Sequence, residues 1–564
     1  MKKESFTGSE ILIKSLLAEG VKYIFGYPGG AIMPIYDAIH HYENEICHIL
    51  TRHEQGAIHA AQGYARVTGK AGVCFTTSGP GATNLITGLA DALIDSTPLV
   101  CITGQVSSHL LGTDAFQETD IIDISIPTTK WNAQITDAQD ICKIICQAFY
   151  IAQAGRPGPV LVDITKNAQF QTTSFDYNFC TSVNYFKPYP DTEEEKIQAA
   201  AQLINIAKRP FTIIGQGVIL AHAEEELKYF IKKTGIPVAS TLLGLGAIES
   251  RHPLYMGMLG MHGNYAPNLL TNKCDVLIAI GMRFDDRVTG DVKKYARQAQ
   301  IIHLEIDPCE ISKNTPCDIP VLGDCKVTLA RLTNLVRKID HQAWVKTFNE
   351  LKVKEEEVVI YNDLYPTKEG LTMGEVIKWI NHYKRKDAVL VTDVGQHQMI
   401  ASRYFDFIAP KSQITSGGLG TMGFGLPAAI GVQFGAKERQ VICVVGDGGI
   451  QMTVQELGTI LQNDLPIKIV LLNNSFLGMV RQWQQLFFEK RYSCTELVNP
   501  DFVQLASAYN IQAQKVDRRE ELEAAVEKTL SDKGSYLLEV VVEKEDNVFP
   551  MIPSGAAVDE IRLI

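Results

Sequence analysis

The sequence predicts an α/β protein of three domains, each a mostly parallel sheet flanked by helices. Three observations predict it. The chain has 564 residues, too many for one hydrophobic core, and about three domains is the expectation for that length. Short apolar runs alternate with helix-period stretches throughout, the pattern of parallel α/β layers. Gly446-Asp447-Gly448 and Asn473-Asn474 each end an apolar run. They are spaced by about one strand–helix–strand crossover, so both emerge at the same edge of a parallel sheet.

In chain order, a first block covers residues 1–170, with strands expected at 72–75, 99–102 and 160–162. A polar, aromatic-rich segment, 171–191, reads as a linker. The second block spans 190–340, with strands at 211–214, 276–280 and 301–306. A charged stretch, 352–359, and the Tyr365-Pro366 turn lead into the third block, 370–564. Its strands are expected at 389–392, 441–445, 467–472 and 536–542. No short-period repeat or low-complexity tract is visible.

Charged residues at 21% and hydrophobic ones at 46% describe an ordinary globular protein. The net charge of −11 and the lack of a basic stretch exclude nucleic acid as the expected partner. No run of 18 apolar residues is present, so no membrane span is expected. Met1-Lys2-Lys3-Glu4-Ser5 leads straight into an amphipathic helix pattern, without a signal or transit peptide. Twelve cysteines lack a CxxC pair, and Cys74, Cys101 and Cys443 lie in apolar runs. Free thiols in a reducing cytoplasm are expected.

One carboxylate and one amide oxygen, from Asp447 and Asn474, suit a Mg²⁺ ion that is otherwise held by a ligand's phosphates. The glycines beside Asp447 let backbone approach a diphosphate. The pair resembles the motif by which thiamine-diphosphate (ThDP) enzymes hold their cofactor; an ordinary β–α turn is the plain alternative. Glu54 sits near a helix start, where it either caps the helix or acts on a cofactor. Against N1′ of an aminopyrimidine it would favour the tautomer that accepts the C2 proton. Gly418, Gly420 and Gly423 match a dinucleotide fingerprint by accident, because no acidic residue follows where one is needed. Instead Gly420 is placed against the aminopyrimidine and Met422 under the cofactor, a core methionine being the alternative. Val394-Gly395-Gln396-His397 offers N–H groups and polar side chains to a diphosphate, or forms a structural turn. The 77–84 loop is expected at a domain interface. In the second block, glycines, arginines and acids at strand ends suit a second nucleotide, or form solvated ion pairs.

Together these residues resemble the acetohydroxyacid synthase (acetolactate synthase) catalytic subunit over essentially the whole chain. The resemblance is carried by Phe25-Gly26-Tyr27-Pro28-Gly29-Gly30-Ala31, by Arg52-His53-Glu54-Gln55-Gly56-Ala57, and by segments 112–118, 155–160, 283–290, 446–449 and 478–483. It implies a pyrimidine-binding, an FAD-binding and a diphosphate-binding domain, with active sites formed between two chains. It implies decarboxylation of pyruvate on ThDP. The resulting hydroxyethyl carbanion then adds to a second pyruvate, giving 2-acetolactate, or to 2-oxobutyrate, giving 2-aceto-2-hydroxybutyrate. These products lead to valine, leucine and isoleucine.

By that resemblance Glu54, Gln117, Lys166, Arg287 and Trp483 serve the reaction. Arg287 would hold the acceptor carboxylate, Trp483 would shape the acceptor pocket, and Gln117 and Lys166 would line its access. Tyr27, Pro28, Gly29, Glu54, Gly420 and Met422 would meet ThDP. So would Val394, Gly395, Gln396, His397, Gly446, Asp447, Gly448, Gly449, Asn474, Phe476, Leu477, Gly478 and Met479. Mg²⁺ would take Asp447, Asn474 and the Phe476 carbonyl. A structural FAD would meet Arg156, Gly215, Gly217, Leu259, Gly260, Met261, His262, Gly281, Arg283, Asp285, Glu305 and Asp324. A homodimer or tetramer and a separate small regulatory subunit complete the expectation.

Two positions depart from the family pattern. Ser107 stands where proline is usual in a channel that binds inhibitors, and Gly449-Ile450 stands where Ser-Phe is common. The rival readings are a flavin-linked pyruvate oxidase and the FAD-free catabolic acetolactate synthase, which lacks counterparts of segment 283–290 and Trp483.

Overall fold

The computed structural model describes residues 4–564; Met1, Lys2 and Lys3, where the expected lead into the first helix begins, lie outside the described residues. Each of the three expected blocks contains one six-stranded sheet, and every strand pair in these sheets is parallel. All ten expected strands are present. Each sheet is buried between two apolar clusters, one on each face, which is why its strands are near-continuous apolar runs.

The first sheet runs in the spatial order Cys47–Leu50, Tyr23–Gly26, Gly72–Thr76, Leu99–Gln105, Pro159–Thr165, Trp131–Ile135. The third runs Gln413–Ile414, Val389–Thr392, Val441–Gly446, Lys468–Asn473, Tyr536–Val541, Gln512–Val516. Numbered within each block, both follow 2-1-3-4-6-5, a shared topology that no repeat in the sequence betrays. The second sheet runs Tyr255–Met258, Val238–Ser240, Pro210–Ile214, Val276–Ile280, Gln300–Glu305, Ile319–Leu322, which is 3-2-1-4-5-6. In open sheets of this kind ligands bind where the strand order reverses. The three reversals fall after Gly26 and Thr76, after Ile214 and Ile280, and after Thr392 and Gly446.

The first and third blocks meet through helices Glu54–Thr68 and Gly425–Gly435. A Cβ on Gly63 would strike the Ala428 carbonyl, and one on Gly431 the Ala60 carbonyl. Only glycine lets these two backbones come so close.

Two connecting segments differ from expectation. Within the 171–191 linker, Thr172–Ser174 pairs antiparallel with Ser5–Thr7. The charged stretch before the third block is helical: Gln342–Glu355 continues through a π turn, Glu356–Ile360, into Tyr361–Leu364. Among the described residues no helix is long and apolar enough to cross a membrane.

Candidate functional site

The reversal in the third sheet forms a small pocket. Val394 to His397 follow strand Val389–Thr392, and Gly446 to Gly449 follow Val441–Gly446. Asn474 and Phe476 to Met479 follow Lys468–Asn473, and Met422 closes one side. Asp447, 2% exposed, opens helix Asp447–Met452. Burial pushes its carboxyl up to about 6, the Asn499 hydrogen bond acting the other way. Asn474 Nδ2 donates to Gln396 Oε1 at 3.2 Å, and Asn474 Oδ1 accepts from Phe476 N at 3.1 Å. The amide oxygen is thereby turned toward the Phe476 turn.

The glycines of this pocket have no room for side chains. A Cβ on Gly446 would sit 2.8 Å from the His397 ring, and one on Gly448 2.7 Å from Leu477 Cδ2. One on Gly478 would strike Gln396 Oε1. His397 is buried, and burial drives its pKa down to about 3, so the ring is neutral. Its Nε2 is buried without a hydrogen-bond partner among the described residues. A cradle of glycines, a free imidazole nitrogen and one carboxylate with an amide beside it fit a diphosphate with its Mg²⁺. No group of three or more His, Cys, Asp or Glu side chains placed to hold a metal is present among the described residues.

The reversal in the second sheet opens into a cavity of about 700 Å³. Its wall contains Arg156, Gly217, Leu259, Gly260, Met261, His262, Gly281, Arg283, Asp285, Glu305 and Asp324. Gly215 stands apart from the wall, where a Cβ would strike the Gly281 carbonyl. His262 is 4% exposed with both ring nitrogens unpartnered among the described residues. Burial, followed by the Arg403 and Arg287 charges, lowers it to about 4. Arg156 reaches in from the first block, with Nη1 3.1 Å from Asp307 Oδ2 and 2.8 Å from Glu310 Oε1. A deep cavity at a 3-2-1-4-5-6 reversal, with glycines, arginines and acids at the strand ends, fits a dinucleotide such as FAD.

The two cavities adjoin: Val394 and Met479 line both. Gly420, Arg287 and Trp483 lie on the wall of the larger cavity. Trp483 is half-buried on that wall and tilts against Phe487 at 5.4 Å. Arg287 is largely exposed, 3.5 Å from Asp286 Oδ2.

The remaining expected residues gather elsewhere, at the carboxyl edge of the first sheet. Glu54 is the first residue of its helix, and its Oε2 accepts from Asn84 Nδ2 at 2.9 Å. A Cβ on Gly29 would sit 2.5 Å from Thr77 Cβ, and one on Gly79 2.9 Å from the Gln117 carbonyl. Gln117 itself has a positive φ of 58°. Lys166 opens the short helix Lys166–Phe170. The 77–84 loop, expected at a domain interface, makes these contacts inside its own block. Tyr27, Pro28, Gly29, Glu54, Gln117 and Lys166 line neither cavity of this chain.

Sequence reasoning missed the groups that hold the site. Asn499 donates to Asp447 Oδ2 at 2.7 Å. Asp393, fully buried, accepts from Gly423 N at 2.7 Å, and its Oδ2 lies against Gly449, where a side chain would collide with it. Asp91 and Asp95 hold the 415–421 loop from the first block. No local signal marks any of them.

Comparison with known proteins accounts for these features together. Residues 6–124, 197–332 and 393–540 match the N-terminal TPP binding, central and C-terminal TPP binding domains of thiamine pyrophosphate enzymes. The chain is 46% identical over 558 residues to acetolactate synthase isozyme 2 large subunit of Escherichia coli (strain K12), covering 98% of this chain and 99% of that one. It is 44% identical over 563 residues to the acetolactate synthase large subunit of Parasynechococcus marenigrum (strain WH8102), covering 98% and 90%. With the Lactococcus lactis large subunit the identity is 43% over 557 residues, covering 98% and 96%. The chain belongs to the acetolactate synthase large-subunit family of thiamine-diphosphate-dependent enzymes.

Proposed function

We propose that this chain is the catalytic subunit of an acetolactate synthase. It converts two molecules of pyruvate to 2-acetolactate and CO₂, and it joins pyruvate to 2-oxobutyrate to give 2-aceto-2-hydroxybutyrate. The observation that carries the reading is the junction of two cavities through Val394 and Met479, with Arg287 and Trp483 on the wall of the larger one.

Thiamine diphosphate supplies, when bound, the carbon centre on which a 2-oxo acid can lose CO₂ and become a nucleophile. The chain's residues do the rest. Asp447, Asn474 and the Phe476 carbonyl hold Mg²⁺. Gly395, Gln396, His397 and the glycines at 446, 448, 449 and 478 receive the diphosphate. Glu54, steadied by Asn84, holds and returns a proton at the aminopyrimidine. Arg287, on the wall of the larger cavity with its guanidinium largely exposed, takes the carboxylate of the acceptor oxo acid. Trp483 sets the room for that acceptor's alkyl group. Gln117 and Lys166 guard the approach.

The blocks 1–170, 190–340 and 370–564 serve as the pyrimidine-binding, FAD-binding and diphosphate-binding domains. FAD fills the larger cavity as a structural group. Because the residues around Glu54 line neither cavity of their own chain, a second copy supplies them, in a homodimer or tetramer. The words "large subunit" in the relatives' names support a separate small regulatory chain. Twelve free cysteines support the cytoplasm as the compartment.

The test is acetolactate formation from pyruvate with ThDP and Mg²⁺, with and without FAD, while flavin absorbance is followed. Acetolactate with the flavin left oxidised supports the reading. Flavin reduction in step with pyruvate loss would establish an oxidase instead.

A further inference from the structure

We propose that Asn499 is the positioning residue for the Asp447 metal ligand: its amide ties down Oδ2 and leaves Oδ1 to meet a divalent cation. The inference rests on the metal reading of Asp447 given above and deepens it.

Asn499 lies in the loop before helix Phe502–Ala508, away from the strand ends that carry Asp447 and Asn474. Both amide hydrogens and the amide oxygen of its side chain are engaged. Nδ2 donates to Asp447 Oδ2 at 2.7 Å and to Asn473 Oδ1 at 3.0 Å. Oδ1 accepts from Gln451 Nε2 at 3.0 Å, and the same Gln451 nitrogen donates to the Asp447 backbone carbonyl at 2.9 Å.

The direction of these bonds is set from outside the pocket. Glu539 is 2% exposed and reads as a carboxylate acceptor, with Lys515 Nζ 3.6 Å from its Oε1. It therefore requires the Asn473 amide to present Nδ2, which it does at 2.8 Å. The Asn473 oxygen then faces away, accepting from Ser475 N at 3.0 Å and from Asn499. With Asn473 Oδ1 and Asp447 Oδ2 both acceptors, the Asn499 nitrogen must face them. A flipped amide would set three oxygens against one another. A relay thus runs from the exposed Lys515 through buried Glu539 and Asn473 and half-buried Asn499 to Asp447.

The consequence concerns how the carboxylate can bind. Oδ2 already receives an N–H bearing partial positive charge, and a cation on the same oxygen would repel it. Oδ1 takes no side-chain hydrogen bond among the described residues; the backbone N–H groups of Asp447, Gly448 and Ser475 also act on the carboxylate. The relay therefore favours one-oxygen ligation, which suits the small octahedral Mg²⁺ and not a two-oxygen grip typical of Ca²⁺. Residues that orient a metal ligand in this way typically contribute 10–100-fold, roughly, in metal affinity.

The experiment uses Mn²⁺ as the probe. Purified full-length enzyme saturated with ThDP is titrated with Mn²⁺, and free ion is read by electron paramagnetic resonance. Asn499→Ala should bind Mn²⁺ about 10–100-fold more weakly, while its melting temperature without metal stays at the wild-type value. Gln451→Leu should weaken binding by less, because Asn473 still orients Asn499. Gln451 is exposed, so this second variant folds even if the first does not. Wild-type Mn²⁺ affinity in both variants, with Asp447→Ala losing the ion, would overturn this inference and leave the metal reading intact. Unchanged Mn²⁺ binding in Asp447→Ala would overturn the metal reading and this inference with it.

Discussion

Asp95 and Gly417 are 322 residues apart in the chain, yet Asp95 Oδ2 accepts the Gly417 backbone N–H at 2.8 Å. The other oxygen accepts the Gly418 N–H at 2.7 Å, and Arg66 Nη2 lies 2.9 Å from Oδ2. Arg66 also donates to the Thr415 carbonyl. The first block thus grips the loop that carries Gly420 and Met422.

Asp95→Ala should therefore do two things. It leaves Arg66, 5% exposed, without its closest charge partner, and breaking a buried pair costs about 3–5 kcal/mol. It also frees the loop, so ThDP affinity should fall. Urea unfolding and ThDP titration check the two effects. A variant that loses stability but keeps wild-type ThDP affinity would show that the grip serves folding alone.

His59 predicts a pH dependence. The ring is fully buried, 5.2 Å edge-on to Phe424. Burial first, and the Arg66 charge second, push its pKa down to about 3 from 6.5. As pH falls between those values, the unfolded chain takes up a proton that the native chain refuses, so stability falls with pH. At pH 4.5 this one group removes on the order of 2 kcal/mol. His59→Gln should flatten the urea midpoint between pH 7.5 and 4.5 by that amount. An unchanged pH slope would mean that the imidazole is protonated in the folded state.

Glu54→Gln should keep the fold, since a glutamine oxygen still accepts from Asn84. Exchange of the ThDP C2 proton should slow by about 10²–10⁴-fold, the usual worth of general acid–base work. Nuclear magnetic resonance after acid quench measures it. Wild-type exchange would remove Glu54 from the mechanism.

Trp483→Leu should lose the preference for 2-oxobutyrate over pyruvate as acceptor. One methylene in an apolar pocket is worth about 10–200-fold. A competition assay with both oxo acids reads both products at once. Equal falls in the two products, at constant ratio, would assign Trp483 to packing.

Ser107 has φ −60° and ψ 143°, close to what proline requires. Ser107→Pro should leave turnover unchanged, add about 0.4–1 kcal/mol of stability, and tighten inhibition by sulfonylureas. Equal inhibition constants in the two proteins would show that the position does not shape the channel.

Much of the fold is legible in the sequence because the sheets are buried on both faces. Strands such as Val441–Gly446 and Lys468–Asn473 are near-continuous apolar runs between turn residues. Several of the strands not anticipated are very short or only partly buried. Gln413–Ile414 has two residues, and Trp131–Ile135 is only partly buried. Asp447 and Asn474 are legible because their spacing follows the crossover. Asn499 and Asp95 are not, because their partners are set by three-dimensional packing and no period in the sequence connects them. The halves that Glu54 and Asp447 represent are each legible as motifs. That Glu54 lies outside the pocket that holds Asp447 emerges only from the structure.

The most direct measurement co-produces two inactive chains, Glu54→Gln and Asp447→Ala, and assays acetolactate formation from pyruvate. If one site takes Glu54 from one chain and Asp447 from its partner, mixed dimers hold one intact site. Random pairing in a two-fold dimer should then restore about a quarter of wild-type activity. A mixture no more active than the two variants alone would contradict a site shared between chains.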